Sequence, residues 1–213
     1  MNRAYELSMN IAIIGHGSVA ESYAAGFALA GHNVFIGALS GEKEEKNQLP
    51  EIFDNIYHCT IQEASSVSDL IIIATSPKHA AEAAYWIGDI DGRVIIDATS
   101  NVEEKNDEQL NTMQTIAAIT GCEHIVKVFD TNGCEKLVKP LFKGDKVDMI
   151  LAGDSKKAKA ITKILGKELG ARHFYDLGGV DSIQQLDELT KKWRAYSVFF
   201  KSSRNSVNSN KLD

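Results

Sequence analysis

Residues 10–36 read NIAIIGHGSVAESYAAGFALAGHNVFI, and no other stretch limits the fold so tightly. Asn10 to Ile14 is a short apolar run that ends at Gly15. A segment of helical period follows to Ala30, Gly31 stops it, and Val34 to Ile36 is a second strand. The turn itself, Gly15-His16-Gly17-Ser18-Val19-Ala20, has the G-x-G-x-x-A spacing of a dinucleotide fingerprint. Gly15 permits a tight exit from the strand, Gly17 lets the backbone approach a pyrophosphate, and Ala20 lets the helix lie close to the sheet. The amides that open the helix then face the phosphates, where the helix dipole favours negative charge. A tight turn without a ligand would use the same glycines. The strand before and the amphipathic helix after, with Val19, Tyr23 and Phe27 on one face, favour the nucleotide.

The whole chain is long enough for one core, with 213 residues of which 44% are hydrophobic. Its 29 acidic and 23 basic residues give a net charge of −6, which supplies no basic stripe for nucleic acid and no polybasic membrane patch. A small-molecule partner is expected. Cys59, Cys122 and Cys134 show no paired spacing and no grouped histidines, so unpaired thiols in a reducing, cytoplasmic setting are expected, with no structural metal. No signal peptide is visible, and no apolar run reaches the roughly 18 residues needed to span a bilayer. Residues 1–9 read as a lead segment, with Met9 an alternative start to Met1.

An NAD enzyme usually places an acid at the end of its second strand to accept the ribose 2′-hydroxyl. Here Gly37 and Ala38 stand there, which permits NADP, with Ser40 and Lys43 as candidate 2′-phosphate ligands and NAD still possible. Glu42, Glu44 and Glu45 beside them are the argument for ordinary loop residues. Further strands are expected near Ile56 to Cys59, over Asp69 to Ala74, which is apolar enough to be buried on both faces, and over Gly92 to Asp97. Ser76 and Pro77 read as the N-cap and first position of a helix, so Thr75 and Ser76 offer either caps or cofactor contacts. Asp97 reads as an acceptor of backbone hydrogen bonds rather than a general base. A crossover helix is expected over Asn106 to Thr120, with strands at His124 to Phe129, Val147 to Leu151 and Arg172 to Asp176. Gly153 and Asp154 should cap a helix whose Ala158, Ile161, Leu165 and Leu169 face inward.

Strands alternating with helices predict a Rossmann-like, doubly wound, mostly parallel α/β sheet with a short C-terminal extension. The expected division is a dinucleotide-binding domain over 10–135, an α/β extension over 136–200 and a polar tail over 201–213. The extension should end in an amphipathic helix bearing Ile183, Leu186, Leu189, Trp193, Tyr196 and Phe200, a stripe suited to core or to a homodimer contact.

Five runs in order, IGHGSVA, DATSN at Asp97 to Asn101, VKVFDT at Val126 to Thr131, DMILAGDSKKA at Asp148 to Ala158 and LGGVDSIQQLDELTKKW at Leu177 to Trp193, carry a specific likeness. The chain resembles the NADP reductases that use the deazaflavin coenzyme F420, and the related reductase domain of the six-transmembrane metalloreductases. The resemblance implies pyrophosphate contacts at Gly15, His16, Gly17, Ser18, Val19 and Ala20, and a 2′-phosphate region from Ala38 to Lys43. Ribose or nicotinamide contacts are implied at Thr75, Ser76, Ala98 and Thr99. Phe129 to Thr131 would lie by the nicotinamide, and the Gly178-Gly179 loop would wall the same cavity. Two departures stand out: Ala38-Leu39 replaces the family's Ser-Arg pair, and Phe129-Asp130-Thr131 replaces Phe-Asn-Thr.

Hydride transfer needs stacked cofactors more than acid-base groups, so the lack of a catalytic triad fits a two-cofactor cleft. The acceptor would be a deazaflavin or flavin, touched by Thr99, Asn101, Thr131 and Cys134. Reduction of a quinone or ferric chelate is the alternative within enzymes, and a non-catalytic NADP-binding sensor or partner subunit the alternative outside them.

Overall fold

Four consecutive apolar residues, Leu70 to Ile73, leave no polar face to turn to water, and all four are buried. The strand they form lies inside a single sheet. The computed structural model describes residues 8–38, 52–90, 92–99, 111–130 and 147–193. Its strands are β1 (Asn10–Ile14), β2 (Asn33–Ala38), β3 (Ile56–Thr60), β4 (Leu70–Ile73), β5 (Val94–Asp97), β6 (His124–Asp130), β7 (Val147–Ala152) and β8 (Ala171–Asp176). The helices are α1 (Ser18–Ala30), α2 (Ile61–Val67), α3 (Ala80–Ile87), α4 (Thr112–Thr120), α5 (Lys156–Glu168) and α6, helical over 183–193.

The eight strands pair in the order β3-β2-β1-β4-β5-β6-β7-β8. All neighbours run parallel except β6 and β7, where Lys127 opposes Ala152 and Asp130 opposes Met149. This is the Rossmann-like, mostly parallel α/β sheet that the alternation of elements predicts. The order reverses direction between β1 and β4, so the crevice beyond their carboxyl ends is the topological switch point.

Strand alternation splits the core in two. Ile11, Ile13, Leu70 and Ile72 face Tyr23 and Phe27 of α1 and Leu165 of α5. Ala12, Ile14, Ile71 and Ile73 face the other way, toward Ile61 of α2, Ala83 of α3, Ile116 of α4 and Leu186 of α6. Both faces of the central strands are thereby covered, which is what permits runs with no polar residue.

Three helix details differ from the sequence expectation. α4 begins at Thr112, since Asn111 has left helical geometry and its side chain accepts from the Gln114 amide; residues 106–110 of the expected helix lie outside the described residues. α5 is capped by Ser155, whose hydroxyl accepts from the Ala158 amide, and not by Gly153 and Asp154. The Asp154 carboxylate instead accepts from the Val180 amide. On α6 the buried face is Ile183, Leu186, Asp187 and Thr190, while Leu189 and Trp193 are 37% and 45% exposed. Two successive steps of three residues carry Leu189 about 120° around the helix from Ile183, away from the sheet. Tyr196, Phe200 and the tail over 201–213 lie outside the described residues, as does the lead segment over 1–7.

Candidate functional site

The fingerprint turn sits at the switch point. The ladder continues one step past β1, with the Gly15 amide donating to the Gly37 carbonyl at 2.9 Å and the Ala74 amide to the Ile14 carbonyl at 2.8 Å. Gly15 has φ +136°, a region that side-chain-bearing residues rarely enter, and a Cβ there would meet the Ala74 carbonyl oxygen at 2.5 Å. Gly17 differs: it caps α1 with φ −79°, and no atom lies within 4 Å of where its Cβ would be. Gly17 has no side chain to cap the helix, and among the described residues no other side chain bonds the first-turn amides, which face that open space. His16, Gly17 and Ser18 are exposed, Val19 is half-buried, and Ala20 is sealed against the sheet at 1% exposure. An open cradle of uncapped amides at a helix start fits a pyrophosphate, with Glu21 as the one acid of the first turn.

The neighbouring strand ends supply the rest of the cleft. Ala74, half-buried Thr75 and exposed Ser76 follow β4, and Ser76 makes no side-chain capping bond to the 3-10 turn it precedes. Ala98 extends the ladder by donating to the Ile73 carbonyl at 2.9 Å, and Thr99 follows it. Thr99 is 2% exposed and its hydroxyl donates inward to Asp97 Oδ1 at 2.6 Å. Phe129, late in β6, is buried with Ile125 and Ile150 in the second core.

Sequence reasoning missed what lies beneath Ala98 and Thr99. Lys127, a lysine in the middle of a strand, is 2% exposed, and its ammonium points into a closed polar nest. Its Nζ lies 3.0 Å from Asp97 Oδ2, 2.8 Å from the Thr112 hydroxyl, 3.3 Å from the Thr99 carbonyl and 3.7 Å from Asp187 Oδ1. Asp97 is fully buried and also accepts from the Thr99 amide at 2.9 Å and the Thr112 hydroxyl at 2.7 Å. Its oxygens are therefore occupied, by one backbone amide, as expected, and by three side-chain donors, Thr99, Thr112 and Lys127, which were not expected. Burial pushes the Asp187 carboxyl up; the Lys127 ammonium opposes this and the nearby Asp97 charge adds to it, leaving it raised. The only sequence signal was a set of polar residues at inward positions of β5, β6 and α6.

The ribose end is partly in view. A Cβ on Gly37 would lie 2.9 Å from Ile61 Cα, so α2 packs where an acidic side chain would start. Ser40 and Lys43, with Asn101, Thr131 and Cys134 on the acceptor side, lie outside the described residues. The Gly178-Gly179 loop does not wall the cleft. β7 and β8 run opposite to β1–β6, so their carboxyl ends lie at the opposite end of the strands, where β1–β6 begin. There the Gly153 amide donates to the Gly178 carbonyl, and Ser155 Oγ lies 3.2 Å from Nδ1 of His124, the first residue of β6. Cys59 and Cys122 are unpaired, and burial raises both thiols above their ordinary value. Among the described residues no group of three metal-ligating side chains occurs, and no helix is long and apolar enough to cross a membrane.

Comparison with known proteins places this cleft in a family context. Residues 10–101, which carry β1 to β5, match the family described as NADP oxidoreductase, coenzyme F420-dependent, the family that the sequence motifs resemble. Among solved structures, one provisionally described as an F420-dependent NADP reductase from Arthrobacter sp. FB24 superposes with a TM-score of 0.73 at 22% identity, covering 90% of this chain and 95% of that one. Pyrroline carboxylate reductase of Plasmodium falciparum with NADP bound gives 0.67 at 15% identity, over 96% of this chain and 71% of that one. The 1-pyrroline-5-carboxylate reductase of Streptococcus pyogenes gives 0.67 at 17% identity, with 95% and 71% covered. At these identities the likeness shows the fold. No curated protein matches the chain.

Proposed function

We propose that the protein is an NADP-dependent oxidoreductase that moves a hydride between NADP(H) and a flavin-like acceptor, a deazaflavin or flavin. One observation carries this reading: an open, uncapped helix start at Gly17 lies at the switch point, inside the segment that matches the NADP oxidoreductase family. The description of that family and the NADP-bound relative support the cofactor, and the lack of an acid at Gly37 and Ala38, at the end of β2, supports NADP over NAD.

Bound NADP(H) would supply or take the hydride. The chain's part is binding and orientation. Gly15 to Ala20 hold the pyrophosphate through backbone amides, and Ser40 and Lys43 take the 2′-phosphate. Thr75, Ser76 and Ala98 line the path toward the nicotinamide, near Phe129, while Thr99 closes the turn beneath them with its side chain turned inward to Asp97. Asn101, Thr131 and Cys134 stand on the acceptor side, where the two rings must meet at near-contact distance. The unpaired Cys59 and Cys122 support a reducing, cytoplasmic setting, and the exposed Leu189 and Trp193 of α6 support a homodimer.

Titration with NADPH and NADH, followed by stopped-flow oxidation of bound NADPH against deazaflavin, flavin, quinone and ferric chelate acceptors, tests the proposal. Preference for NADPH and rapid oxidation by a flavin-like acceptor are expected. Tighter binding of NADH would overturn the phosphate assignment. Binding without oxidation by any acceptor would point to a sensor.

A further inference from the structure

A buried cation with two buried carboxylates is expensive to assemble, so its place in the fold needs a reason. Lys127, Asp97 and Asp187 come from β6, β5 and α6, and Thr112 opens α4. The ammonium touches the carbonyl and hydroxyl of Thr99 and the carboxylate to which the Thr99 amide and hydroxyl donate. Every polar atom of Thr99 is thus tied to one centre. Ala98, next to it, is fixed from the other side by its bond to Ile73. The turn after β5 lies directly beside the end of β4, whose last residue Ile73 pairs with Asp97 and accepts from Ala98, in the half of the crevice away from β2. A dinucleotide whose pyrophosphate lies on α1 extends its second half over these strand ends.

We propose that Lys127 is a positioning residue for the nicotinamide half of the cleft: its ammonium sets the Ala98-Thr99 turn and fastens α6 and α4 beneath it, without touching the ligand. The proposal rests on the NADP reading for its ligand but not for its structural half. It predicts that the two halves of the dinucleotide respond differently when the nest is loosened. The pyrophosphate and adenosine side rests on Gly15 to Ala20, where the Gly15 amide donates to the Gly37 carbonyl and the Gly17 carbonyl accepts from the Glu21 amide. The nicotinamide side rests on the turn that Lys127 holds.

The test compares wild type with K127M, K127R and T112V. T112V removes a hydroxyl that accepts from Lys127 and donates to Asp97 while leaving the ion pair, so it is the working variant if K127M fails to fold. In the ligand-free protein, amide exchange at Thr99 should quicken at least tenfold in T112V, with the Gly15 amide unchanged within twofold. By calorimetry, NADP+ should bind at least fivefold more weakly to T112V and K127M, while adenosine 2′,5′-bisphosphate, which lacks the nicotinamide half, stays within twofold. K127R should recover most of the NADP+ affinity. Equal weakening of both ligands, or none for either, would overturn the proposal, as would unchanged Thr99 exchange. If wild type binds neither nucleotide, the functional reading has failed, and the exchange measurement still decides the positioning role.

Discussion

A Cβ on Gly15 would lie 2.5 Å from the carbonyl oxygen of Ala74, closer than any real Cβ contact, because β1 and β4 abut at the switch point. Two residues on, the same atom at Gly17 would meet nothing. The two glycines of one fingerprint therefore differ: Gly15 builds the turn, and Gly17 leaves open space beside the helix start.

Gly15→Ala and Gly17→Ala should separate on that basis. The first forces a side chain into φ +136° and against backbone, so a loss of at least about 1–3 kcal/mol is expected. The second changes an extended N-cap beside open space and should cost only about 0.5 kcal/mol of stability, yet weaken NADP+ binding about tenfold, or ~1.4 kcal/mol. Urea melts and calorimetric titration check both; equal stability losses would show that the two positions are not distinct.

Ala38 ends β2 and is half-buried, the first place where an acid fits, since Gly37 packs on Ile61. Ala38→Asp should accept the ribose 2′-hydroxyl of NADH and repel a 2′-phosphate, lowering the NADPH-to-NADH affinity ratio about tenfold. Fluorescence titration with each nucleotide measures the ratio, and no change would place the 2′-phosphate elsewhere.

Two aspartates should give opposite pH signatures. Burial by itself raises the Asp176 carboxyl, but its hydrogen bonds from Lys159 and the Gly178 amide and the charges of Lys159 and Lys163 outweigh this and leave it lowered. Its contribution is present above the ordinary carboxylate value near pH ~4 and is lost as pH falls through the folded value. Asp176→Asn should remove up to about 1 kcal/mol at neutral pH, the range of an exposed pair, and flatten the acid limb. Asp187 is raised, so its contribution is present below that ordinary value and declines as pH rises through the folded one. Asp187→Asn should abolish the decline. Unfolding free energies measured from about pH 3 to pH 8 decide both signs.

Ile72 sits in β4 at 1% exposure, between β1 and β5, with its side chain in the α1 face of the core. Ile72→Ala should cost about 2–5 kcal/mol by leaving a cavity that two paired strands cannot close. Thermal or urea unfolding measures this; a loss below 1 kcal/mol, on the order of a single methyl group, would mean the core relaxes around the gap.

Local features were legible in the residues alone. The fingerprint, the C-cap at Gly31 and the buried run at Leu70 to Ile73 are each written in a few adjacent residues, because turn geometry and side-chain period are short-range properties. That was enough for the sheet type and for the position of the fingerprint turn. Tertiary structure alone decided what depends on strand direction and distant pairing. The reversal at β7 moved the Gly178-Gly179 loop to the opposite end of the strands, a consequence of one antiparallel pairing that no motif announces. Lys127 looked like any strand lysine until Asp97, Thr112 and Asp187, from 15 to 60 positions away, closed around it. A buried charge is tolerated only with its partners in place, and those partners are assembled by the fold.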